Sequence, residues 1–321
     1  MLKLTNITKA FGVKTVLNNI NIEIKEGEIY GLIGANGAGK TTLMNIISQL
    51  LAPTGGQVEI NGKVIRCLND LKGLVGYMLD IPPMHDYLTA KEYFEFLSAA
   101  QKISKEELDK MTPRLLGQVG LRNIDGMRIK TFSRGMRQRL GIAAGLITNP
   151  DIVLMDEPSS ALDPQGRLEV VEIIRQLSRQ GKTIILSTHI LSDVEKICTQ
   201  IGLLHKGHLV VEGTLREVLN KFQENIYIVE CDKKDFKQVE DCARKSSFFD
   251  RAKEDDNGVH VWFKEGGKKD MFNALAKIKA DISGIYLKPT TVEEIFLKAD
   301  ELMPKQNEAE KLVEEIINEK K

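Results

Sequence analysis

No stretch of the 321-residue sequence approaches the ~18 to 20 consecutive apolar residues that a transmembrane helix requires. The opening segment MLKLTNITKAFG has no apolar core of the kind a secretory signal carries, so none is expected. A soluble chain is the expectation, with any membrane role supplied by a partner. Cysteine is scarce: Cys67, Cys198, Cys231 and Cys242 form no CxxC pair and no ligand-like spacing with histidine. That argues against a zinc ribbon or a disulfide framework and for reduced thiols in the cytosol. Neither sign of charge is in excess, with 45 Lys and Arg against 45 Asp and Glu. A nucleic-acid-binding protein more often carries a basic surplus, so nucleic acid is not an expected partner. There is also no internal repeat. Length and ordinary apolar content leave room for one large domain and a smaller one.

What is present is concentrated at GANGAGKTT, Gly34 to Thr42, directly after the apolar run EIYGLI. Gly34, Gly39, Lys40 and Thr41 fit the phosphate-cradling pattern G-x-x-x-x-G-K-[ST], which occurs once in the chain. Glycine lets the backbone curl so that its N–H groups converge on an anion. Asn36, Gly37, Ala38 and Thr42 belong to the same cradle. Lys40 would reach the terminal phosphates of ATP, and the Thr41 hydroxyl would ligate Mg²⁺. The flanking segments read as a buried strand before the loop and a helix, TTLMNIISQLL, after it.

Along the chain, LKLTNITKAF and LNNINIEIKEGEIYGLIG read as strands, and QVEINGKVI as another with an Asn-Gly turn. From Leu88 to about Gly145 the pattern is helical, with Thr89 and Ser104 as N-caps. DIVLMD and KTIILSTH restore the strand signal, each with a helical stretch after it. The fold class expected is α/β: a mostly parallel core sheet interrupted by a helical insertion at about 85–148. Residues 1–218 would form this first domain. Residues 219–300, with IYIVECD, GVHVWFKE and ISGIYLKP as strands, read as a small α+β domain whose core would take Trp262. Residues 301–321 form a charged tail with Leu312, Val313, Ile316 and Ile317 on one helical stripe. Two readings of it stay open: an amphipathic helix packed on this chain, or a docking helix for a partner.

Two further segments carry chemistry. DIVLMDEP ends an apolar strand in two acids: Asp156, placed to hold Mg²⁺ through water, and Glu157, placed to polarise an attacking water. SRGMRQRLGIAAGLI, from Ser133, opens a helix with a capping serine and a glycine, a second anion-favouring surface. One nucleotide site hardly needs both surfaces. Two copies facing each other would use both, with each ATP held between one chain's loop and the other's helix start.

From Phe11 to His189, about two-thirds of the chain, these landmarks resemble the ATP-binding subunits of ABC transporters. The resemblance implies a P-loop NTPase cassette with an antiparallel β subdomain and a helical subdomain. FSRGMRQR stands where that family has its signature, so Ser133 and Gly135 would meet the γ-phosphate of ATP in trans, with Arg134 adding charge near the phosphates. Arg134 replaces the usual glycine. SSALD matches the D-loop, with Ser160, Ala161, Leu162 and Asp163 between the two sites. STH puts His189 at the switch histidine, and Phe11 occupies the place of the adenine-stacking aromatic. VGYMLD puts Asp80 where a Mg²⁺-contacting glutamine is usual. Asp80 is shorter and accepts only when ionised; it is either a metal contact or a turn residue before Pro82 and Pro83. A carboxylate here, and the ending PTTVEEIFLKAD, are similar to the drug- and lantibiotic-exporter branch. That implies a separate transmembrane permease, a second copy or related ATP-binding subunit, and a location on the inner face of the cell membrane.

Two rival readings belong to other classes. A soluble cassette ATPase acting on ribosomes or DNA would more often carry two cassettes or a long coiled coil, and neither is here. A non-hydrolysing ATP sensor is disfavoured by Glu157 and His189. A P-loop kinase would leave the FSRGMRQR and SSALD segments without a role.

Overall fold

The computed structural model describes residues 2–124, 126–160, 162–256, 258–264, 268–275 and 278–303. They fall into two compact units, Leu219–Thr291 and the remainder, so that Val292–Met303 belongs with the first unit. The sequence reading had grouped 292–300 with the small domain.

The first unit begins with strands β1 (Leu2–Phe11) and β2 (Lys14–Ile24), an antiparallel pair, followed by β3 (Ile29–Ile33) and helix α1 (Lys40–Ile47). Next come β4 (Gly55–Ile60), β5 (Lys63–Ile65) and β6 (Val75–Met78). β2, β1, β4 and β5 make an antiparallel sheet in that order. Asn61 and Gly62 both have positive φ, 52° and 78°, so the predicted Asn-Gly signal is the tight turn joining β4 to β5. α1 stops sooner than TTLMNIISQLL suggested, because Gln49 turns left-handed at φ 57°.

Helices α2 (Ala90–Gln101), α3 (Lys105–Gln118) and α4 (Arg134–Gly145) follow. Thr89 caps α2 in a reciprocal box with Glu92: its hydroxyl accepts from the Glu92 N–H, and the Glu92 carboxylate accepts from the Thr89 N–H. Ser104 caps α3 in turn, accepting from the Glu107 N–H. The chain then returns to the core through β7 (Ile152–Asp156), α5 (Pro164–Arg179), β8 (Thr183–Thr188), α6 (Leu191–Ile197), β9 (Gln200–His205) and β10 (His208–Thr214), before α7 (Leu215–Lys221).

The core sheet runs β10-β9-β3-β8-β7-β6, parallel from β9 to β6 with β10 antiparallel at the edge. Every residue of β3, β7 and β8 is buried, as expected for strands covered on both faces. Leu43 and Met44 of α1 pack in one core with Leu154 of β7 and Ile185 of β8. The order has a chemical consequence. β3, β8 and β7 are adjacent, with Ile33 beside Thr188 and Asp156 beside Ser187, so three loops emerge side by side from their carboxyl ends. That edge is where open parallel sheets bind ligands.

The second unit contains β11 (Ile226–Cys231), α8 (Phe236–Ala243), β12 (Phe249–Glu254), β13 (Gly258–Phe263), α9 (Lys268–Leu275) and β14 (Ile282–Leu287). Its antiparallel sheet runs β12-β13-β11-β14 and packs Val229, Val261 and Phe263 against Phe236 and Val239 of α8. Trp262 is not in that core. It alternates with Val261 and Phe263 to the opposite face, where the Arg251 guanidinium lies 4.7 Å from its ring.

Helix α10 (Val292–Leu297) rejoins the first unit. The Val292 N–H donates to Glu195 Oε1 of α6 at 2.6 Å, and Asp300 accepts from Lys206 Nζ at 2.6 Å beside His205. Leu312, Val313, Ile316 and Ile317 lie outside the described residues. No helix of the described residues is long and apolar enough to cross a membrane.

Candidate active site

The loop after β3 has glycines where a side chain has no room. A Cβ on Gly34 would stand 2.4 Å from the Leu204 carbonyl oxygen, and one on Gly39, at φ +112°, 2.8 Å from Leu17 Cδ2. Gly39 is the N-cap of α1 and offers no side-chain acceptor, so the first N–H groups of the helix face the loop. Asn36 and Gly37 are exposed at the loop's crest, while Ala38 is buried beneath it. Lys40 opens α1 with only 6% exposure. Its ammonium donates to the Gly34 carbonyl at 2.7 Å and the Ala35 carbonyl at 3.3 Å. Thr41 is exposed at the same helix start and Thr42 half-buried.

Lys40 Nζ also stands 3.6 Å from Glu157 Oε1, joining the first loop to the second. Glu157 follows β7 in a left-handed conformation, φ 48°, which costs a non-glycine residue roughly 1–2 kcal/mol. Its backbone is gripped on both sides. The N–H donates to the Ser187 carbonyl at 3.0 Å, and the carbonyl accepts from Gln138 Nε2 of α4 at 3.3 Å. Asp156, 2% exposed, accepts from the Ser187 hydroxyl. The third loop brings His189 Nδ1 to 2.9 Å from Glu157 Oε2. That contact lacks hydrogen-bond geometry, and Oε2 is a buried acceptor with no donor among the described residues.

Asp80 shares this neighbourhood. Partial burial, then the negative charges of Asp156 and Glu157, push its carboxyl above the usual carboxylate range, while Arg134 and His189 pull the other way. The structure thus gathers Lys40, Asp156, Glu157 and His189 at one sheet edge and sets Asp80 and Arg134 within their field.

The remaining predicted residues lie around that centre. Ser133 is the N-cap of α4 and accepts from the Met136 N–H at 3.2 Å. Gly135, in the first turn, has Leu162 Cδ2 3.8 Å from where a Cβ would be. The Ser160 N–H donates to the Glu157 carbonyl at 3.3 Å, and Asp163 caps α5 by accepting from the Gly166 N–H. Ala161 lies outside the described residues. Phe11, at the end of β1, is 52% exposed with the Lys9 ammonium 5.0 Å from its ring centre.

Sequence reading missed three contributors. Gln138 is polar on the buried stripe of α4 that also holds Gly141, Ile142 and Gly145; that i, i+3, i+4, i+7 spacing was the available signal. Ser187 sits within the quoted STH but carries no motif of its own. Asp193 of α6 is buried and accepts from the Ser159 hydroxyl at 2.9 Å, with Arg167 at 3.5 Å. It ties the segment after Glu157 to the segment after His189.

The donor set fits Mg²⁺–ATP. The uncapped start of α1 and the Lys40 ammonium suit phosphate oxygens, and the Glu157 carboxylate, held beside Lys40 and His189, suits an attacking water. Among the described residues no three His, Cys, Asp or Glu side chains cluster as a metal centre. Thr41 and Asp156 would therefore hold Mg²⁺ only together with phosphate oxygens and water.

The ABC transporter family model matches residues 17–160. The chain is 40% identical over 212 residues to the lantibiotic transport ATP-binding protein SrtF of Streptococcus pyogenes, spanning 66% of this chain and 90% of that one. It is 33% identical to the uncharacterized ABC transporter ATP-binding protein YcbN of Bacillus subtilis, over 91% of this chain and 94% of the relative. Among solved structures it resembles the ATP-binding cassette MJ0796, a dimer in a post-hydrolysis state bound to ADP and Pi. There the TM-score is 0.61 at 30% identity, covering 67% of this chain and 99% of that one.

Proposed function

Because the chain belongs to the ATP-binding proteins of ABC transporters, we propose that it is the ATP-hydrolysing subunit of an exporter. It would drive a separate permease by closing, with a second copy or a related subunit, over two ATP molecules. The observation that carries this reading is the meeting of Lys40, Glu157 and His189 on three adjacent loops, with one Glu157 oxygen facing the Lys40 ammonium and the other the His189 ring.

Each residue then has a task. The backbone of Gly34–Gly39 and the Lys40 ammonium bind the phosphates of the substrate, and Phe11 stacks on its base. Thr41 and, through water, Asp156 would hold Mg²⁺, which would supply charge neutralisation at the phosphates. Glu157 orients and polarises the attacking water, and His189 braces Glu157 and the γ-phosphate. Ser133 and Gly135 of the facing subunit close the site, with Arg134 adding positive charge. The residues Ser160, Leu162 and Asp163 border the facing copy. Asp80 adds an acceptor beside the metal position, where burial and then crowding by Asp156 and Glu157 raise its pKa.

Export and a separate permease are supported by the relatives, which include ATP-binding proteins for lantibiotic, bacitracin and linearmycin transport or resistance. A cavity of about 630 Å³ between the turn after α1, the segment 68–77, and the ends of α2 and α4, with Leu50 and Leu68 exposed in its lining, offers a place for a permease segment. The subunit would thus work peripherally on the cytoplasmic face. Balanced charge argues against a nucleic-acid role.

The decisive experiment is Glu157→Gln, followed by phosphate release and by size measurement with and without ATP. Turnover is expected to fall by about 10²-fold or more, the usual worth of a positioned base. The variant should also pair stably when ATP is present. Undiminished turnover, or a wild-type protein that hydrolyses ATP as a strict monomer, would overturn the reading.

A further inference from the structure

Away from the nucleotide edge, one face of α3 lies over the corner where α4 ends and α5 passes into β8. Between them is a half-open cavity of about 330 Å³, within the size range of small-molecule sites. Its floor is apolar: Met111 and Leu115 of α3 face Leu146 and Leu177, of which the three leucines are buried. Its rim is cationic, carrying Lys110, Arg114 and Lys182. Glu107 is the one acid of the lining.

The rim keeps a positive excess, three cations against Glu107. Among the described residues neither Lys110 nor Arg114 makes an ion pair, although both stand on the same helical face. Lys182 is turned inward, donating to the Asn149 carbonyl at 3.2 Å and its side-chain oxygen at 2.9 Å, both uncharged. Burial pulls its ammonium below the usual lysine range; Asp151 opposes that shift, and the like charge of Arg114 adds to it. Gln118 Nε2 closes one side by donating to Gln180 Oε1 at 3.0 Å. An apolar floor with three cations and one acid around it suits one kind of ligand: a body that avoids water with a single negative head.

We propose that this cavity is a binding site for a small amphiphilic anion, a short acyl or single-ring aromatic carboxylate or sulfonate. The apolar body lies on Met111, Leu115, Leu146 and Leu177, and the head accepts hydrogen bonds from Arg114 and Lys182. Such a ligand would tie α3 to the α5–β8 corner. The site is independent of the roles assigned to Lys40 and Glu157, so its test needs no nucleotide.

Octanoate, octanol and inorganic phosphate would each be titrated calorimetrically into the full-length protein. Octanoate should bind saturably at one site per chain, and the other two should give no such isotherm at the same concentrations. Arg114→Glu, on the exposed side of α3, should weaken octanoate at least about tenfold while the thermal unfolding midpoint stays near the wild type. Met111→Trp, which fills the floor, should abolish binding. The proposal is overturned if octanoate fails to bind, if octanol binds as well as octanoate, if phosphate alone binds at the site, or if Arg114→Glu leaves the affinity unchanged.

Discussion

The side-chain amide of Gln138 donates to the main-chain carbonyl of Glu157 at 3.3 Å. The helix that starts at Ser133 therefore holds, from within the same chain, the backbone of the carboxylate proposed to activate water. Glu157 needs such a hold, because its left-handed backbone stores strain that an unrestrained loop would relax.

Gln138→Leu removes the donor and keeps the volume of a buried side chain. A neutral hydrogen bond of this kind is worth about 1 kcal/mol, so kcat is expected to fall roughly fivefold. The KM for ATP should hold, since Lys40 and the glycine loop are untouched. A raised KM with unchanged kcat would show that Gln138 acts on binding instead.

Gly34→Ala tests the loop sterically. The new Cβ would meet the Leu204 carbonyl oxygen, an atom of the neighbouring strand β9 that cannot swing aside. Overpacking of this sort costs about 1–3 kcal/mol, to be read as a lower urea midpoint, and nucleotide binding should weaken with it. A wild-type midpoint and affinity would mean that the loop has slack.

Thr89→Ala removes the N-cap of α2 and half of its box with Glu92. A loss of about 1 kcal/mol in unfolding free energy is expected. The KM for ATP should not move, because α2 contributes no residue to the nucleotide edge. A changed KM with unaltered stability would contradict this separation.

Motifs that depend on neighbouring residues were legible in the sequence. Gly34, Lys40 and Thr41 are close in the chain and are built by one loop, and the Thr89, Ser104 and Asn61-Gly62 signals act over two to four residues. Strands were read less evenly. β7 and β8 declare themselves through unbroken apolar runs, whereas β6 is four residues long and β12, FDRAKE, is mostly polar. Trp262 was expected in the core of the small unit. A period of two decides its face, and that phase is set by the pairing of β13 with β11.

By itself the sequence determined the nucleotide loop, the acid pair after β7, the capped helices and the alternation of strand and helix. All of these follow from φ preferences, hydrogen-bond reach and hydrophobic period acting over short stretches of chain. Only the tertiary structure decided that Lys40, Glu157 and His189 meet, that Gln138 and Ser187 grip the Glu157 backbone, and that Val292–Met303 returns to the first unit. Those contacts join residues tens to more than a hundred positions apart. They depend on strand order and side-chain packing, which no local pattern records.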